Sequence, residues 1–414
     1  MLRRALLASA GLAALAACMG APVPSPRDEA PPAEPASPPA PPSPAVTDVF
    51  DVALYRALAA QPGNVFVSPL SVASAFALVY PGAHGQTETE IAAALGFDPS
   101  PATQATRTRA LAQALASNNG GSQFTTANAA WVERTMALRA GYARTIREEV
   151  GATIEAVDFI ANQRAALRRI NAWAANQTQD RIRELLTSED PDRRLVLTNA
   201  VYFKGKWSDP FAASATRDGD FFPATGAAVR TRLMRQITHA RYFEDSGVQI
   251  AEFDYVRGAF ALAVFLPRAR AGLAAFERDL TGARLDAWLA RLQTADQPRL
   301  DVTLPKVRLE ASYELAPTLQ SLGMRVAFTD AVDFSGVTDA TGLKISAVVH
   351  KTFLAIDEDG TEAAAATAID MVATAAPIAP PAPPIEFKAD RPFFIVLRHK
   401  PSGARVFVGR IAAP

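Results

Sequence analysis

Residues 360–376 read Gly-Thr-Glu-Ala-Ala-Ala-Ala-Thr-Ala-Ile-Asp-Met-Val-Ala-Thr-Ala-Ala, without a proline, and directly continue the strand-like run Ile345 to Ile356. On composition alone an alanine-rich stretch is a helix or a flexible link. A period of two gives another reading. Thr361, Ala363, Ala365, Thr367, Ile369 and Met371 fall on one face, small at first and then larger and apolar, while Glu362 and Asp370 stand among small residues on the other. That is a half-buried strand pattern. Small side chains also suit a segment that enters between existing strands without displacing much core volume. Fully extended, Thr361 to Thr374 reaches about 46 Å at roughly 3.3 Å per residue. Pro377-Ile378-Ala379-Pro380-Pro381-Ala382-Pro383-Pro384 follows and lacks the N–H groups a central strand needs, so such a strand ends before it.

Outward from this stretch, Leu195 to Phe203, Phe260 to Leu266, Leu300 to Leu304, Ile345 to Ile356 and Phe393 to Leu397 are short runs rich in β-branched and aromatic residues and read as strands. Val49, Ala53, Leu54, Leu58 and Ala59 have helical spacing, and Ser68-Pro69 opens a second helix with proline in its first turn. Thr87 to Glu90 has the Thr-x-x-Glu form of a capping box, with Gly96 placed to end that helix. Ala161 to Leu186 is helical in composition. Helices dominate early and strands late, which predicts an α+β domain with large mixed sheets rather than βαβ winding.

The 414 residues are 49% hydrophobic and 20% charged, with 42 basic and 42 acidic residues, so a real core is expected and neither a nucleic-acid groove nor a polybasic membrane patch is suggested. A single cysteine excludes an intramolecular disulfide, and histidines at 84, 239, 350 and 399 show no metal-ligand spacing. No GxSxG, GxGxxG or GxxxxGK[ST] motif is present, which argues against common hydrolase, dinucleotide and P-loop chemistry. Asp357-Glu358-Asp359 reads as a solvated strand end, the alternative being a metal or acid-base cluster, and Met234-Arg235-Gln236 as a strand edge rather than a site. His350, in an apolar strand, reads by itself as a satisfied core histidine.

Residues 1–17 carry Arg3 and Arg4 and then the apolar run Ala5 to Ala17, too short to span a bilayer, and read as an export signal. Leu15-Ala16-Ala17-Cys18 resembles the lipobox of bacterial lipoproteins, which implies signal removal and lipid modification of Cys18; the alternative is ordinary cleavage beside an incidental cysteine. Residues 18–46 form a Pro/Ala-rich linker, with 11 prolines among positions 19–44, suited to polyproline II. Residues 47–414 are expected to form one large domain.

That domain resembles the serpin family. Asn64-Val65-Phe66-Val67-Ser68-Pro69-Leu70-Ser71, Gly82 to Thr87, Asn171-Ala172-Trp173 through Thr178, Leu197 to Trp207, Leu304-Pro305-Lys306, Asp333 to Gly336, Val349-His350-Lys351 and Arg391 to Phe394 follow in family order. The resemblance implies a serpin fold with three β-sheets, eight to nine helices and an exposed reactive-centre loop at about 358–384. It implies a shutter at Ser68, Ser71, Asn199 and His350, a breach at Trp207, and a hinge at Glu358, Gly360, Thr361, Ala363, Ala364, Ala365 and Ala366. The small residues of that hinge resemble inhibitory members.

The activity so implied is a trap for a serine protease, less readily a cysteine protease, in which the cut loop inserts into the main sheet. No catalytic group, cofactor, metal or nucleic acid is required of the chain, and a monomer in the cell envelope, anchored to a membrane through Cys18, is expected. The alternative is a non-inhibitory binding or chaperone-like protein of the same fold. Counting from the hinge puts the reactive bond at Thr374-Ala375, while counting back from Pro392 puts it near Pro381. The hinge count is preferred because the prolines cannot join a sheet; the window is Met371 to Ile378, and its small side chains suit elastase-like or subtilisin-like pockets.

Overall fold

The computed structural model describes residues 50–116, 121–150, 152–361 and 382–414, which belong to one compact unit. Nine α-helices occur among the described residues: α1 (Phe50–Ala59), α2 (Pro69–Phe76), α3 (Gly85–Leu95), α4 (Pro101–Ala116), α5 (Ala140–Thr145), α6 (Gln163–Gln177), α7 (Leu273–Asp279), α8 (Gly282–Thr294) and α9 (Ala316–Ser321). Strands, numbered along the chain, form three sheets. The main sheet has the order β11 (Val307–Glu314), β12 (Ile345–Ile356), β13 (Gly360–Thr361), β4 (Leu195–Lys206), β2 (Gln123–Glu133), β3 (Thr153–Val157). The second runs β1 (Val65–Val67), β16 (Ala404–Ile411), β15 (Phe393–His399), β9 (Phe260–Pro267), β8 (Val248–Asp254), β7 (Arg241–Asp245). The third runs β14 (Ile385–Lys388), β10 (Arg299–Pro305), β6 (Val229–His239), β5 (Arg217–Phe221). This is the α+β architecture expected from the sequence.

Burial explains the unbroken apolar runs. Every residue of β9 and β15 is buried, and alternate side chains enter different cores: Ala263, Phe265, Phe394 and Val396 join one, Leu262, Val264, Phe393 and Ile395 the other. A strand with core on both faces has no polar side to alternate with. Each such side chain contributes about 1.5–3 kcal/mol when fully buried, which makes this second sheet a firm back wall for the main one.

Local signals hold where the chain caps itself. Ser68 is the N-cap of α2, its hydroxyl accepting the Ser71 N–H at 3.2 Å with Pro69 in the first turn, and Gly96 ends α3 in the left-handed region at φ 65°. The Thr87 capping box is overturned. Helix α3 starts at Gly85; Thr87 Oγ1 instead accepts the Asp333 N–H at 2.9 Å, and the Glu90 carboxylate accepts the Arg325 and Val326 N–H groups at 2.7 Å each. The helix expected over 161–186 stops at Gln177 because side chains satisfy the backbone that follows. Thr178 Oγ1 accepts the Ile182 N–H, and Asn171 Oδ1 accepts those of Leu185 and Leu186. Met234 to Gln236 form the strand edge expected of them: β5 pairs with β6 only from Val229 to Leu233, so these three residues pair with β10 alone.

Candidate functional site

The main sheet contains an unusual seam. Strand β12 is antiparallel to β11, and β4 is antiparallel to β2, yet β12 and β4 run parallel to each other, with Ile345 opposite Leu195, a one-residue shift at Ser346, and an unbroken register from Ala347 opposite Val196 to Phe353 opposite Tyr202. One strand placed between two parallel strands is antiparallel to both. At the top of the seam such a strand has begun: in β13, Thr361 pairs antiparallel with Ile356 of β12, while Gly360 and Thr361 pair antiparallel with Lys206 and Gly205 of β4. The chain that leaves β12 therefore turns at Asp357–Asp359 and re-enters the sheet as a two-residue wedge.

Below the wedge the seam is closed by a polar row. Tyr313, His350, Asn199 and Asn128 occupy one register position across β11, β12, β4 and β2. His350 Nε2 accepts the Ser68 N–H at 3.1 Å, so its proton sits on Nδ1, which donates to Asn199 Oδ1. Asn199 Nδ2 donates in turn to the Ser71 carbonyl at 3.1 Å, to Ser71 Oγ and to Asn128 Oδ1. Ser68 Oγ donates to the Val406 carbonyl at 2.6 Å, and Thr352 Oγ1 to that of Phe66 at 2.8 Å, which ties the seam to the second sheet. Ser68, Ser71, Asn199 and His350 are buried, and Asn128 is half-buried. Burial pushes the His350 imidazole down from 6.5 to about 3, so it stays neutral and keeps its acceptor nitrogen. The His350–Asn199 bond crosses the junction that an entering strand would have to part.

The wedge is held by main-chain bonds and one close approach. Trp207 donates its backbone N–H to the Asp359 carbonyl at 2.9 Å and its indole N–H to the Asp357 carbonyl at 3.0 Å, while the Phe211 N–H reaches the Glu358 carbonyl at 2.9 Å. The buried Trp207 ring stacks on Tyr255 at 4.6 Å, and the Tyr255 hydroxyl lies 2.6 Å from Thr361 Oγ1. Gly360 has φ 153°, and a Cβ there would meet the Gly205 carbonyl oxygen at 2.1 Å, so no other residue fits unshifted. Glu358 pairs with Lys306 at 2.6 Å and accepts the Thr216 hydroxyl at 2.8 Å. Burial alone raises its carboxyl, but the Lys306 and Thr216 bonds outweigh this and hold it below its ordinary value. Asp357 is raised, by burial, despite accepting the Asp359 and Gly360 N–H groups.

The structure thus brings Ser68, Ser71, Asn199 and His350 into one cluster, and Trp207, Glu358, Gly360 and Thr361 into a second at the top of the same seam. Asp357-Glu358-Asp359 is not the solvated strand end expected: all three are half-buried and bonded. Residues 1–17, Cys18 and the whole linker to residue 46, Ala363, Ala364, Ala365, Ala366, Thr374 and Ala375 lie outside the described residues. Sequence reasoning missed Asn128, Tyr313, Thr352 and Tyr255. The first three become legible once register is known, because each stands opposite or two residues from a member of the row; Tyr255 carries no such signal.

A family profile described as Serpin (serine protease inhibitor) matches residues 45–414. An uncharacterized serpin-like protein of Thermococcus kodakarensis is 36% identical over 367 residues, covering 88% of this chain and 84% of its own. The leukocyte elastase inhibitor of Bos taurus is 35% identical over 379 residues, covering 88% and 97% respectively. Among solved structures, the thermophilic serpin tengpin in its native state aligns with a TM-score of 0.80 at 26% identity, over 89% of this chain and 94% of its own. Profile, relatives and fold agree with the motifs quoted above, and the chain belongs to the serpin family.

Proposed function

We propose that this serpin inhibits serine proteases by covalent trapping, and the observation that carries the reading is the antiparallel wedge of Gly360 and Thr361 at the top of the parallel β12–β4 seam. The protease serine attacks a loop carbonyl, an ester forms with the residue before the cut, and the amine of the residue after it departs. The freed segment then continues the wedge downward, converting β11, β12, the new strand, β4 and β2 into an antiparallel run. Twelve or so further residues at about 1 kcal/mol per strand hydrogen bond give a drive of order 10 kcal/mol, added to apolar burial. The intact state is held by the barrier at the polar row. The reaction takes its catalytic groups from the protease.

The small residues of Val372-Ala373-Thr374-Ala375 favour an elastase-like or subtilisin-like target, in keeping with the name of the bovine relative. Export, lipidation at Cys18 and display from a bacterial membrane on the proline-rich linker complete the proposal; Cys18→Ser is expected to move the protein from the membrane fraction to the soluble one. Incubation with elastase- and subtilisin-type proteases, followed by denaturing gel and mass spectrometry, tests the core. A covalent complex and a cut between Met371 and Ile378 are expected. Cleavage fragments without complex would favour a non-inhibitory binding role instead.

A further inference from the structure

Trp207 and Phe211, which hold the hinge turn, also line a cavity of about 190 Å³ together with Ser208, Asp209, the end of β6, the start of β7 and the end of β8. A cavity of about 150 Å³ takes a benzene ring, so a one-ring molecule fits. Trp207, Phe211 and Phe253 give it a buried apolar lining. Its charged groups divide into compensated and uncompensated ones. Asp254 is paired with Lys400 at 2.6 Å and Glu252 Oε2 with Arg398 at 2.5 Å, while the buried Glu252 Oε1, on the residue opposite Arg241, has no hydrogen-bond partner among the described residues. Asp209, exposed, and Arg241, whose buried Nε has no hydrogen-bond partner, form no ion pair among the described residues.

A mixed pocket with one aromatic wall, carboxylate oxygens on Asp209 and Glu252 that no cation among the described residues pairs, and a guanidinium outside any such ion pair is complementary to a molecule that carries both charges and a compact apolar body. We propose that this cavity binds a small zwitterion of the α-amino-acid class with an aromatic or branched apolar side chain. Its carboxylate lies on Arg241, whose planar fork matches that group, its ammonium lies at Asp209, and its side chain packs on the aromatic lining. Such occupancy steadies Trp207 and Phe211, the donors that grip the hinge carbonyls of Asp357, Glu358 and Asp359. A ligand shifts a conformational balance only by binding one state better; here it favours the intact state and slows insertion, a consequence that rests on the inhibitor reading.

Calorimetric titration of the intact protein with L-phenylalanine tests the site without any protease. Phenethylamine and 3-phenylpropionate, each lacking one charge, serve as controls. Saturable binding of L-phenylalanine is expected, weakened about tenfold or more when either charge is removed from the ligand and again in Arg241→Gln or Asp209→Asn, about 1.4 kcal/mol for each tenfold step. Absence of saturable binding by both L-phenylalanine and L-leucine, or binding that neither substitution weakens, overturns the site. With the site saturated, a smaller share of protease attacks ends in covalent complex. An unchanged share alongside proven binding overturns the coupling to the hinge.

Discussion

The β9–β15 junction and the β12–β4 junction each lie inside a six-stranded sheet, and each is completely paired along the stretch compared. At β9–β15 the strands are antiparallel, and Phe265, Val264 and Ala263 face Phe394, Ile395 and Val396 with apolar side chains filling both faces. At β12–β4 the strands are parallel, and the corresponding centre is His350 facing Asn199, both tied to the Ser68–Ser71 turn. Apolar contact is non-directional and survives small shifts. A buried hydrogen-bond row is directional, costly to leave half-made and lost as a unit. One junction is therefore a permanent wall, and the other, on the inhibitor reading proposed above, a latch.

The largest effect that could break this contrast is at the wedge. Thr361 is fully buried in β13, so Thr361→Arg places an unpaired cation in the seam at a cost of several kcal/mol. Loop cleavage is expected to continue while the covalent complex disappears from gels; undiminished complex would show that the loop does not enter here. Next in size, Ile395→Ala is expected to cost about 2–5 kcal/mol in denaturant unfolding, equally in intact and loop-cleaved protein, because β15 is wall in both. His350→Ala removes the acceptor of the Ser68 N–H and the donor to Asn199, about 1–3 kcal/mol, and the Asn199 share of that loss belongs to the intact form alone, since an inserted strand already separates that pair. Equal losses in both forms for His350→Ala would erase the distinction.

A smaller, graded test uses pH. The unfolded chain takes up a proton at His350 below about 6.5, whereas the intact fold resists until about 3. Unfolding is thus favoured by acid across that window: the contribution is fully present above about pH 6.5 and is lost as pH falls toward 3, by up to about 1.4 kcal/mol per pH unit. His399, lowered by burial to about 4, adds a slope of the same sign. His350→Gln should flatten the intact protein's stability between pH 6.5 and 5 by the His350 share, and an unaltered slope would remove the histidine from the latch. The smallest effect sharpens the boundary. Tyr255→Phe deletes the hydroxyl bonded to Thr361, about 0.5–1.5 kcal/mol, and should cost intact and cleaved forms alike, because the wedge stays in the sheet in both.

The sequence made the wall legible more fully than the latch. Unbroken apolar runs such as Phe260 to Leu266 mark doubly buried strands by composition, and their type follows without knowing their partners. His350 looks the same in sequence whether it satisfies a core or bridges two strands; only the register that sets Asn199 beside it separates the two. Motif resemblance supplied that pairing, since Ser68, Ser71 and Asn199 stand far from His350 along the chain. Non-local bonds also misled where a local pattern competed with them. Thr87 and Glu90 have capping-box spacing but spend their side chains on the 325–333 loop, and Glu358 looks solvated until Lys306 and Thr216 are brought against it by the fold.

If the protein traps proteases as proposed, its intact seam is a metastable arrangement that one cut allows to fill. Thermal unfolding of intact protein and of protein nicked once between Met371 and Ile378, at equal concentration and scan rate, measures this directly. With roughly ten new strand hydrogen bonds, the nicked form should melt about 20 °C or more above the intact one. Superimposable melting curves would contradict the account.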